Sequence, residues 1–376
     1  MTTYKLGEIL SYEQPTNYIV ESTEYDDSYP TPVLTAGKSF ILGYTNETKG
    51  VYDKLPVIIF DDFTTASQFV DFKFKVKSSA MKILSCNEEI ADIKYMYYLM
   101  QITHIQSDTH KRYWISDYSK VPVSLPPLPT QRAIVTRIEA LFAELDKAVQ
   151  HLRTAQQQLK TYRQAVLNHW LNNDDGKWEM VKLGEVAEIK GGKRLPKGHY
   201  YSEKPTEYRY IMAGNLKNNT VSLDTNFIEK ATYEVLKHYE VIGGEVYITI
   251  VGACIGDVGI IPANLGCSIL TENAAKIVNI NNLTPDFLTI VLRSSCAKTQ
   301  IKSKILSATL GKLALSRIAE IVVPLPPLAE QQRIVAEIES RLSQASATET
   351  YIENVLQQAE ALRQSILKKA FSGELV

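Results

Sequence analysis

The sequence Leu125-Pro126-Pro127-Leu128 returns 200 residues later as Leu325-Pro326-Pro327-Leu328, and this repeat determines the architecture of the chain. A constant offset over about 40 positions predicts a helix, because one inserted residue would rotate everything beyond it by about 100°. Proline is excluded from the helix interior, so each helix is predicted to begin just after its two prolines. The offset of 200 is kept without a gap by pairs that include Gln131/Gln331, Ile138/Ile338, Arg163/Arg363 and Leu167/Leu367.

Each helical copy has apolar or small residues at alternating steps of four and three, which is the a/d pattern of a coiled coil. A helix of about 40 residues spans roughly 60 Å and is poorly stable alone with an apolar stripe exposed. We therefore expect the two helices to pack on each other. The alternative is that each helix packs on its own globular block. The seam is assigned to Ile134, Ile138, Leu145, Leu152, Leu159 and Val166, and to Ile334, Ile338, Leu342, Ile352, Leu362 and Ile366, with Thr348 as an interruption.

Two globular blocks precede the helices. Lys5-Leu6-Gly7-Glu8 matches Lys182-Leu183-Gly184-Glu185 at an offset of 177, and the sequences diverge after these anchors. Strand-like runs at 57–60, 72–76, 246–251 and 277–280 and short helices predicted at 94–103 and 285–293 indicate mixed α/β structure. The predicted fold class is α+β, with two mixed α/β domains separated by two long helices. The predicted segments are a first block (1–125), a first helical segment (126–172), a second block (173–325) and a second helical segment (326–376).

Charge and composition narrow the class of protein. The 376 residues carry 41 basic and 42 acidic groups, a net charge of -1, so the chain is not a polycation. By segment the net charge is -4, +3, +2 and -2 in chain order. DNA affinity would thus have to come from a few placed contacts and from partners. No apolar run is long enough for a transmembrane helix, no signal peptide is recognised, and the four cysteines form no CxxC pair, which disfavours a zinc site.

Signatures of catalysis are missing from the sequence. It contains no GxxxxGK[ST] loop, no GxSxG elbow and no HExxH helix. The Asn/Asp-Pro-Pro-Tyr/Phe motif of adenine methyltransferases is missing too, since the only Pro-Pro pairs are in the two LPPL sequences. The missing motifs therefore disfavour an enzyme that acts alone, such as a self-contained methyltransferase or nuclease.

Basic and polar residues in the predicted turns are the candidates for nucleic-acid contact, because such side chains reach phosphates and base edges. The Gly-rich turn at 191–198 fits no nucleotide-binding spacing and is interpreted as a basic surface turn that contacts the nucleic-acid backbone. The alternative for every such cluster is ordinary solvated surface. The candidates are Thr35, Lys38, Lys111 and Arg112 in the first block, and Lys190, Lys193, Arg194, Lys197, Asn215, Lys217, Thr309 and Lys312 in the second.

The layout as a whole resembles the specificity (S) subunits of type I restriction-modification systems. The resemblance covers essentially the full chain. Its most specific motifs are PLPPLAEQQRIV at 324–335, LRQSILKKAFSGEL at 362–375, and KLGEV at 182–186 followed by GGKR at 191–194; VIIFDDFT at 57–64 is also similar to the family. The first helix departs from the pattern, because it ends LNHWL at 167–171 without the Lys-Ala-Phe-x-Gly sequence of the second. Different packing is expected at that junction.

The resemblance implies a role and a set of partners. Each block would be a target-recognition domain for one half of a split, asymmetric site in double-stranded DNA. The repeated helices would form an antiparallel coiled coil that fixes the spacer and docks two methyltransferase (modification) subunits. Those partners would bring S-adenosylmethionine and adenine-N6 chemistry, and separate restriction/translocase subunits would bring ATP and Mg. This chain itself is then expected to be non-catalytic, to hold no cofactor or metal, and to work in the cytoplasm.

Another function class is compatible with the residues alone. A coiled-coil scaffold with two protein- or glycan-binding modules would share the same layout, and salt-dependent DNA binding would discriminate the two. A self-contained methyltransferase or nuclease is disfavoured by the missing motifs.

Overall fold

The computed structural model describes residues 2–35, 39–103, 112–172, 176–217, 219–305 and 311–375. The chain forms two compact units: unit 1 is Met1–Arg153 with Glu353–Val376, and unit 2 is Thr154–Ile352. Each long helix is divided between the two units, whereas the predicted segments kept the helices separate from the blocks. The bounds of those four segments stay a prediction. Within the described part of the chain, every helix is too short or too polar to cross a membrane.

The described residues of unit 1 form three small sheets, the first part of the first long helix and the last part of the second. A four-stranded antiparallel sheet has the order β2-β8-β5-β6, a three-stranded sheet has the order β4-β3-β7, and β1 pairs with β9. The elements are β1 (Thr2–Lys5), α1 (Leu6–Ile9), β2 (Leu10–Glu13), β3 (Thr31–Leu34), β4 (Ile41–Thr45), β5 (Val57–Asp61), β6 (Ser67–Val70), β7 (Lys75–Val76), β8 (Met81–Cys86), α2 (Ile93–Ile102), α3 (Tyr113–Ser116), β9 (Pro122–Leu125) and α4 (Leu128–Trp170).

Unit 2 follows the same plan with more strands. Its larger sheets have the orders β11-β21-β18-β19 and β12-β16-β13-β20-β17, and two further pairs are β10-β22 and β14-β15. The elements are β10 (Glu179–Lys182), α5 (Leu183–Val186), β11 (Glu188–Gly191), β12 (Tyr201–Ser202), β13 (Tyr208–Ile211), β14 (Leu216–Lys217), β15 (Thr220–Val221), β16 (Asn226–Ile228), α6 (Lys230–Leu236), β17 (Glu240–Val241), β18 (Val246–Thr249), β19 (Val258–Ile260), β20 (Cys267–Leu270), β21 (Ala274–Val278), α7 (Pro285–Arg293), α8 (Ser295–Lys304), α9 (Leu315–Ala319), β22 (Val322–Leu325) and α10 (Leu328–Phe371).

Most of the predicted short elements are present with shifted ends. The helix predicted at 94–103 is α2, and the one predicted at 285–293 is α7. The strand predicted at 277–280 begins earlier and ends at Val278, because Asn279 has a positive φ of 50°. Of the run at 72–76, only Lys75–Val76 is a strand, and Phe74 forms an isolated bridge with Tyr52.

The KLGE sequences begin the same local structure in both units. Each forms a one-turn helix after an edge strand, and the carboxylate of its glutamate accepts the N–H of its lysine, at 2.8 Å for Glu8 and 3.3 Å for Glu185. Their glycines are needed for close approach: a Cβ on Gly7 would lie 3.0 Å from Cβ of Ser119, and one on Gly184 would lie 2.8 Å from Cβ of Ala319. The anchors recognised in the sequence therefore fix the first strand and the last turn of each block together.

A buried glutamine attaches each block to the start of its long helix. The side-chain oxygen of Gln131 accepts the N–H of Asp92 at 2.9 Å, and its amide donates to the carbonyls of Ile90 and Pro126. Asp92 is in turn the N-cap of α2. Gln131 is 0% exposed, so its polar atoms are satisfied by the protein.

The same attachment recurs in unit 2. Gln331, also 0% exposed, accepts the N–H of Thr284 at 2.9 Å and donates to the carbonyls of Asn282 and Pro326 at 2.8 Å each. Thr284 is the N-cap of α7. One residue of the repeat thus satisfies the same three backbone groups in two blocks of unlike sequence.

The long helices run antiparallel where they meet. In unit 2, Arg163 of α4 forms an ion pair with Glu349 of α10 at 2.7 Å, and seven residues further along α4 the Trp170 ring lies under Arg341. In unit 1, Arg363 of α10 pairs with Asp146 of α4. The predicted fold class, with mixed α/β domains and two long antiparallel helices, is confirmed.

The helix ends also pack on the blocks. Ile134 and Ile138 belong to the same buried cluster as Leu6 and Ile58 in unit 1, and Ile334 and Ile338 pack with Leu183 in unit 2. The two packing alternatives weighed from the sequence are therefore both realised, at different parts of each helix. Of the seam residues, the buried ones are Ile134, Ile138, Val166, Ile334, Ile338, Ile352 and Ile366, and the half-buried ones are Leu145, Leu152, Leu159 and Leu342.

The assignment of Leu362 to the seam is wrong. Its side chain is 50% exposed, and the neighbouring Arg363 takes the seam position. After Ala359 the next residue that faces the other helix is four positions further on, at 363, and not three positions further on, at 362. Steps of three and of four are both compatible with the 3.6 residues per turn of an α-helix. The guanidinium of Arg363 lies 4.4 Å from the Phe142 ring, so a cation-π contact fills the place expected for leucine. Likewise the interruption at Thr348 is bypassed, because the adjacent Glu349 occupies the seam and pairs with Arg163.

The departure at the end of the first helix is accompanied by different packing. The Trp170 ring lies 5.6 Å from the guanidinium of Arg333 and 5.9 Å from that of Arg341. At the end of the second helix, Phe371 packs edge-on against Tyr95 at 5.0 Å. The different packing expected at this junction is confirmed.

Candidate nucleic-acid interface

The Gly-rich basic turn in unit 2 is locked to the ends of two strands. After β11, the N–H of Gly192 donates to the carbonyl of Ala274 at 3.0 Å, and that of Lys193 donates to the carbonyl of Leu270 at 2.9 Å. A Cβ on Gly192 would overlap the carbonyl oxygen of Thr271, so only glycine fits this close approach. The turn therefore presents Lys193 and Arg194, both exposed, from a rigid backbone.

A single carboxylate holds the arginine of this turn. Nε of Arg194 donates to Glu272 at 2.6 Å, and Glu272 also accepts from the hydroxyl of Thr271 at 3.1 Å. Burial alone would raise the pKa of Glu272, but the hydrogen bonds from Arg194 and Thr271 outweigh it and lower that pKa. Glu272 is therefore ionised at neutral pH.

Aromatic and thioether groups border this ion pair. Tyr210 donates its hydroxyl to the carbonyl of Lys193 at 2.7 Å and lies 3.4 Å from Glu272, and burial raises the pKa of Tyr210 to about 12. The Tyr201 ring contacts that of Tyr210 at 5.8 Å, and its hydroxyl lies 3.7 Å from the sulfur of Met212. Both Tyr201 and Met212 are more than two fifths exposed. The surface thus combines a fixed charge pair with apolar groups open to solvent.

Asn215, another candidate for DNA contact, holds its own turn in the structure. Its oxygen accepts the N–H of Met212 at 2.9 Å, and its amide donates to the carbonyl of Asp224 at 2.6 Å. Each end of the side chain thus makes one hydrogen bond that holds the turn at residues 213–215. The sequence could not distinguish these two uses, because asparagine is typical of both turns and base-reading surfaces.

Three other basic candidates of unit 2 are exposed. Lys190 lies on β11 and forms an ion pair with Glu188 at 2.7 Å. Lys197 lies near the end of the Gly-rich turn, and Lys217 lies on β14. Exposed lysines of this kind suit contacts with phosphates as point charges.

Lys312 is exposed and lies on backbone that is attached to the strand region of unit 2. It forms an isolated antiparallel bridge with Val251, and the N–H of Leu313 donates to the carbonyl of Ile250 at 3.0 Å. The candidates Lys38, Lys111 and Thr309 lie outside the described residues. Thr35 is half-buried just after β3, and its N–H donates to the carbonyl of Phe40 at 2.9 Å.

Arg112 is exposed directly before α3, and a buried ion pair fixes the start of that helix. The carboxylate of Asp62 accepts the N–H of Trp114 at 2.8 Å, and its carbonyl accepts that of Tyr113 at 2.9 Å. Nζ of Lys82 lies 3.3 Å from the same carboxylate, with both side chains at most 2% exposed. The buried pair of Asp62 and Lys82 thus fixes the start of α3, and Arg112 lies directly before it.

Sequence reasoning did not single out Glu272, Tyr210 or Arg209. The guanidinium of Arg209 lies 5.0 Å from the Phe227 ring and donates to the carbonyl of Leu223. The signal available for Glu272 was its position in a polar run, Thr271-Glu272-Asn273, directly after the buried strand β20. Polar residues that follow a buried strand are typical of binding loops on a rigid scaffold.

Comparison with known proteins gives one consistent answer. The model of the "type I restriction modification DNA specificity domain" matches residues 1–152 and 175–358. The specificity subunit of the Escherichia coli type I restriction enzyme EcoR124I/EcoR124II is 33% identical over 349 residues, which is 88% of this chain and 84% of that protein. The specificity subunit of the type I restriction enzyme MjaVIII from Methanocaldococcus jannaschii is 23% identical over 89% of this chain and 84% of its own.

Solved structures share the fold. A chain from a study of complex assembly and conformational transition in the type I R-M system has a TM-score of 0.73 at 19% identity, covering 100% of this chain and 98% of its own. The HsdS subunit from Thermoanaerobacter tengcongensis has a TM-score of 0.59 at 19% identity, covering 100% and 97%. The family match and the identity to the E. coli protein over most of both chains show that this chain belongs to the family of type I restriction-modification specificity subunits.

Proposed function

We propose that this chain is the DNA-recognition subunit of a type I restriction-modification complex and reads a bipartite, asymmetric site. The observation that carries the proposal is the duplicated attachment: two blocks of unlike sequence are joined to matching helices through Gln131 and Gln331 in the same way. Unlike blocks on equivalent attachments suit two unlike half-sites.

The surface of unit 2 supports a role in DNA binding. Lys193 and Arg194 project from a turn whose backbone is fixed, and exposed apolar groups lie beside them. Arginine reads guanine edges, lysine binds phosphates, and apolar groups contact the thymine methyl group. The near-neutral charge of the chain, -1 in total, suits a subunit that selects sequence while partners supply much of the affinity.

The chemistry is assigned to partners in this proposal. Methyltransferase subunits, two in number to match the internal repeat, would carry S-adenosylmethionine, and restriction/translocase subunits would carry ATP and Mg. The chain itself would be non-catalytic and cytoplasmic, with recognition domains at 1–125 and 173–325. The alternative of a scaffold for protein or glycan binding finds no support in the relatives, which are named as specificity subunits of type I restriction enzymes.

The test is co-expression of this chain with a methyltransferase subunit of a type I system that forms a complex with it, followed by methylome sequencing. We expect modification at one split motif with a fixed gap, and salt-dependent binding of the purified complex to that motif. The matched control is the same host with the methyltransferase subunit alone. A complex that forms but shows neither a motif nor salt-dependent binding would contradict the proposal.

A further inference from the structure

Arg194 is held by a carboxylate although it lies at the surface. Its side chain is 80% exposed, yet its Nε donates to Glu272 at 2.6 Å. Exposed ion pairs contribute little to folding stability, because water screens them and ordering the side chains costs entropy. Stability therefore does not account for this pair, and its geometry points to a role in binding.

The bond uses one particular part of the guanidinium. Nε makes the hydrogen bond to Glu272, and Nη1 and Nη2 take no part in it. These two outer groups present the parallel N–H donors that match O6 and N7 of guanine in the major groove. Glu272 thus bonds to Nε of the exposed guanidinium, and the two outer groups stay available to a base.

Glu272 is the fixed member of the pair. Its carboxylate accepts from Thr271 at 3.1 Å and lies 3.4 Å from the hydroxyl of Tyr210, and its side chain is only 29% exposed. It lies two residues after the end of β20 and two residues before the start of β21, so strand ends set its backbone on both sides. A fixed acceptor lowers the entropy that the long arginine side chain loses when it binds a ligand.

The charge of Glu272 favours one kind of ligand over another. A phosphate that approaches Arg194 also approaches this carboxylate and is repelled by it. A guanine edge is neutral and meets no such repulsion. The pair therefore selects against the DNA backbone, which all sequences share, and in favour of a base.

We propose that Arg194 reads a guanine in the half-site of the second block, and that Glu272 is its positioning residue. This inference deepens the proposed function and rests on it. It assigns the recognition of one base to Arg194. Lys193 and Lys197 would instead contact the phosphates of the DNA backbone.

The first test is the base preference of the assembled complex carrying Arg194→Ala. We expect the discrimination in favour of guanine at one position to fall by about ten- to a hundredfold, with every other position unchanged. Arg194→Lys should not restore it, because lysine lacks the two parallel donors. The readout is a binding assay over all four base pairs at each position of the site.

The second test separates positioning from charge. Glu272→Gln keeps the shape but weakens the bond to Arg194, so we expect about a fivefold loss of discrimination at the same position. Binding to DNA without the site should become tighter. Glu234→Gln is the matched control, since this exposed carboxylate on α6 lies 3.9 Å from Lys237 and its replacement makes the same charge change. Lys197→Ala should weaken binding to all sequences alike.

Several outcomes would overturn the inference while leaving the proposed function intact. One is uniform weakening over all bases in Arg194→Ala, which would make Arg194 a backbone contact. Another is relaxation at a position that has no guanine on either strand. A third is an Arg194→Ala complex with the base preferences of the unmodified one. If the unmodified complex itself shows no sequence preference, the proposed function fails instead.

Discussion

Replacing Gln331 with leucine should loosen the second block from its helix without unfolding either. The side chain makes three hydrogen bonds, to the N–H of Thr284 and to the carbonyls of Asn282 and Pro326. Leucine is of similar size, so the loss is in hydrogen bonding and not in packing. At about 1 kcal/mol for each bond the total is about 3 kcal/mol, which corresponds to roughly a hundredfold change in a local opening equilibrium.

Hydrogen-deuterium exchange measures this directly. In Gln331→Leu the amide of Thr284 should exchange about a hundredfold faster, because about 3 kcal/mol of local stability is lost. The amide of Asp92 in unit 1 should not change, since it is bonded to Gln131. Gln131→Leu should give the reverse result.

The control is Gln332→Leu, the same substitution at the adjacent exposed position of the same helix. It should leave exchange at Thr284 unchanged. The reasoning is refuted if Thr284 keeps its protection in Gln331→Leu, or if Asp92 and Thr284 respond alike to either substitution.

Three further predictions concern stability, reactivity and spacing. Gly192→Ala should destabilise unit 2 by about 3 kcal/mol, because its Cβ would overlap a backbone carbonyl, whereas Gly214→Ala, which has open space around it, should be close to neutral; thermal unfolding of the two variants compares them. Burial raises the pKa of Cys86 to about 12, with Asp92 and Glu88 adding to the effect, so its thiolate is scarce at neutral pH. Iodoacetamide labelling read by mass spectrometry should therefore modify Cys86 last, after the exposed Cys254, Cys267 and Cys296, and early labelling of Cys86 would contradict this order. Inserting four residues at matching places in α4 and α10 adds about 6 Å of helix and should lengthen the gap of the methylated motif by about two base pairs; an unchanged gap would refute the link between helix length and spacer.

The two long helices were predictable from the sequence because a helix is specified by a local, periodic pattern of apolar residues. The constant offset of 200 and the a/d pattern identify two matched helices without any knowledge of the blocks. The pattern failed at Leu362, where the seam includes an arginine. Arg363 fills that position only because Phe142 and Asp146 of the other helix receive it, and this pairing is not visible in the helix's own sequence.

The candidate interface was predictable only in part. The exposed basic turn follows from its glycines and lysines, but the partner of Arg194 lies 78 positions away, at Glu272. Such a contact depends on the pairing of β11 with β21, which single-sequence patterns do not specify. Asn215 shows the same limit, since its sequence position does not reveal the two hydrogen bonds with which its side chain holds its own turn.

The buried glutamines have a consequence for how new specificities arise. The partners of Gln131 and Gln331 are main-chain groups: the N–H of Asp92 or Thr284 and the carbonyls of Ile90 or Asn282. Every residue type except proline offers both groups. A block can therefore change nearly all of its side chains, or be exchanged for another by recombination, and still fit the same helix if one short loop keeps its backbone course. The side chains that would read DNA can therefore vary without any change in the helices that hold the blocks.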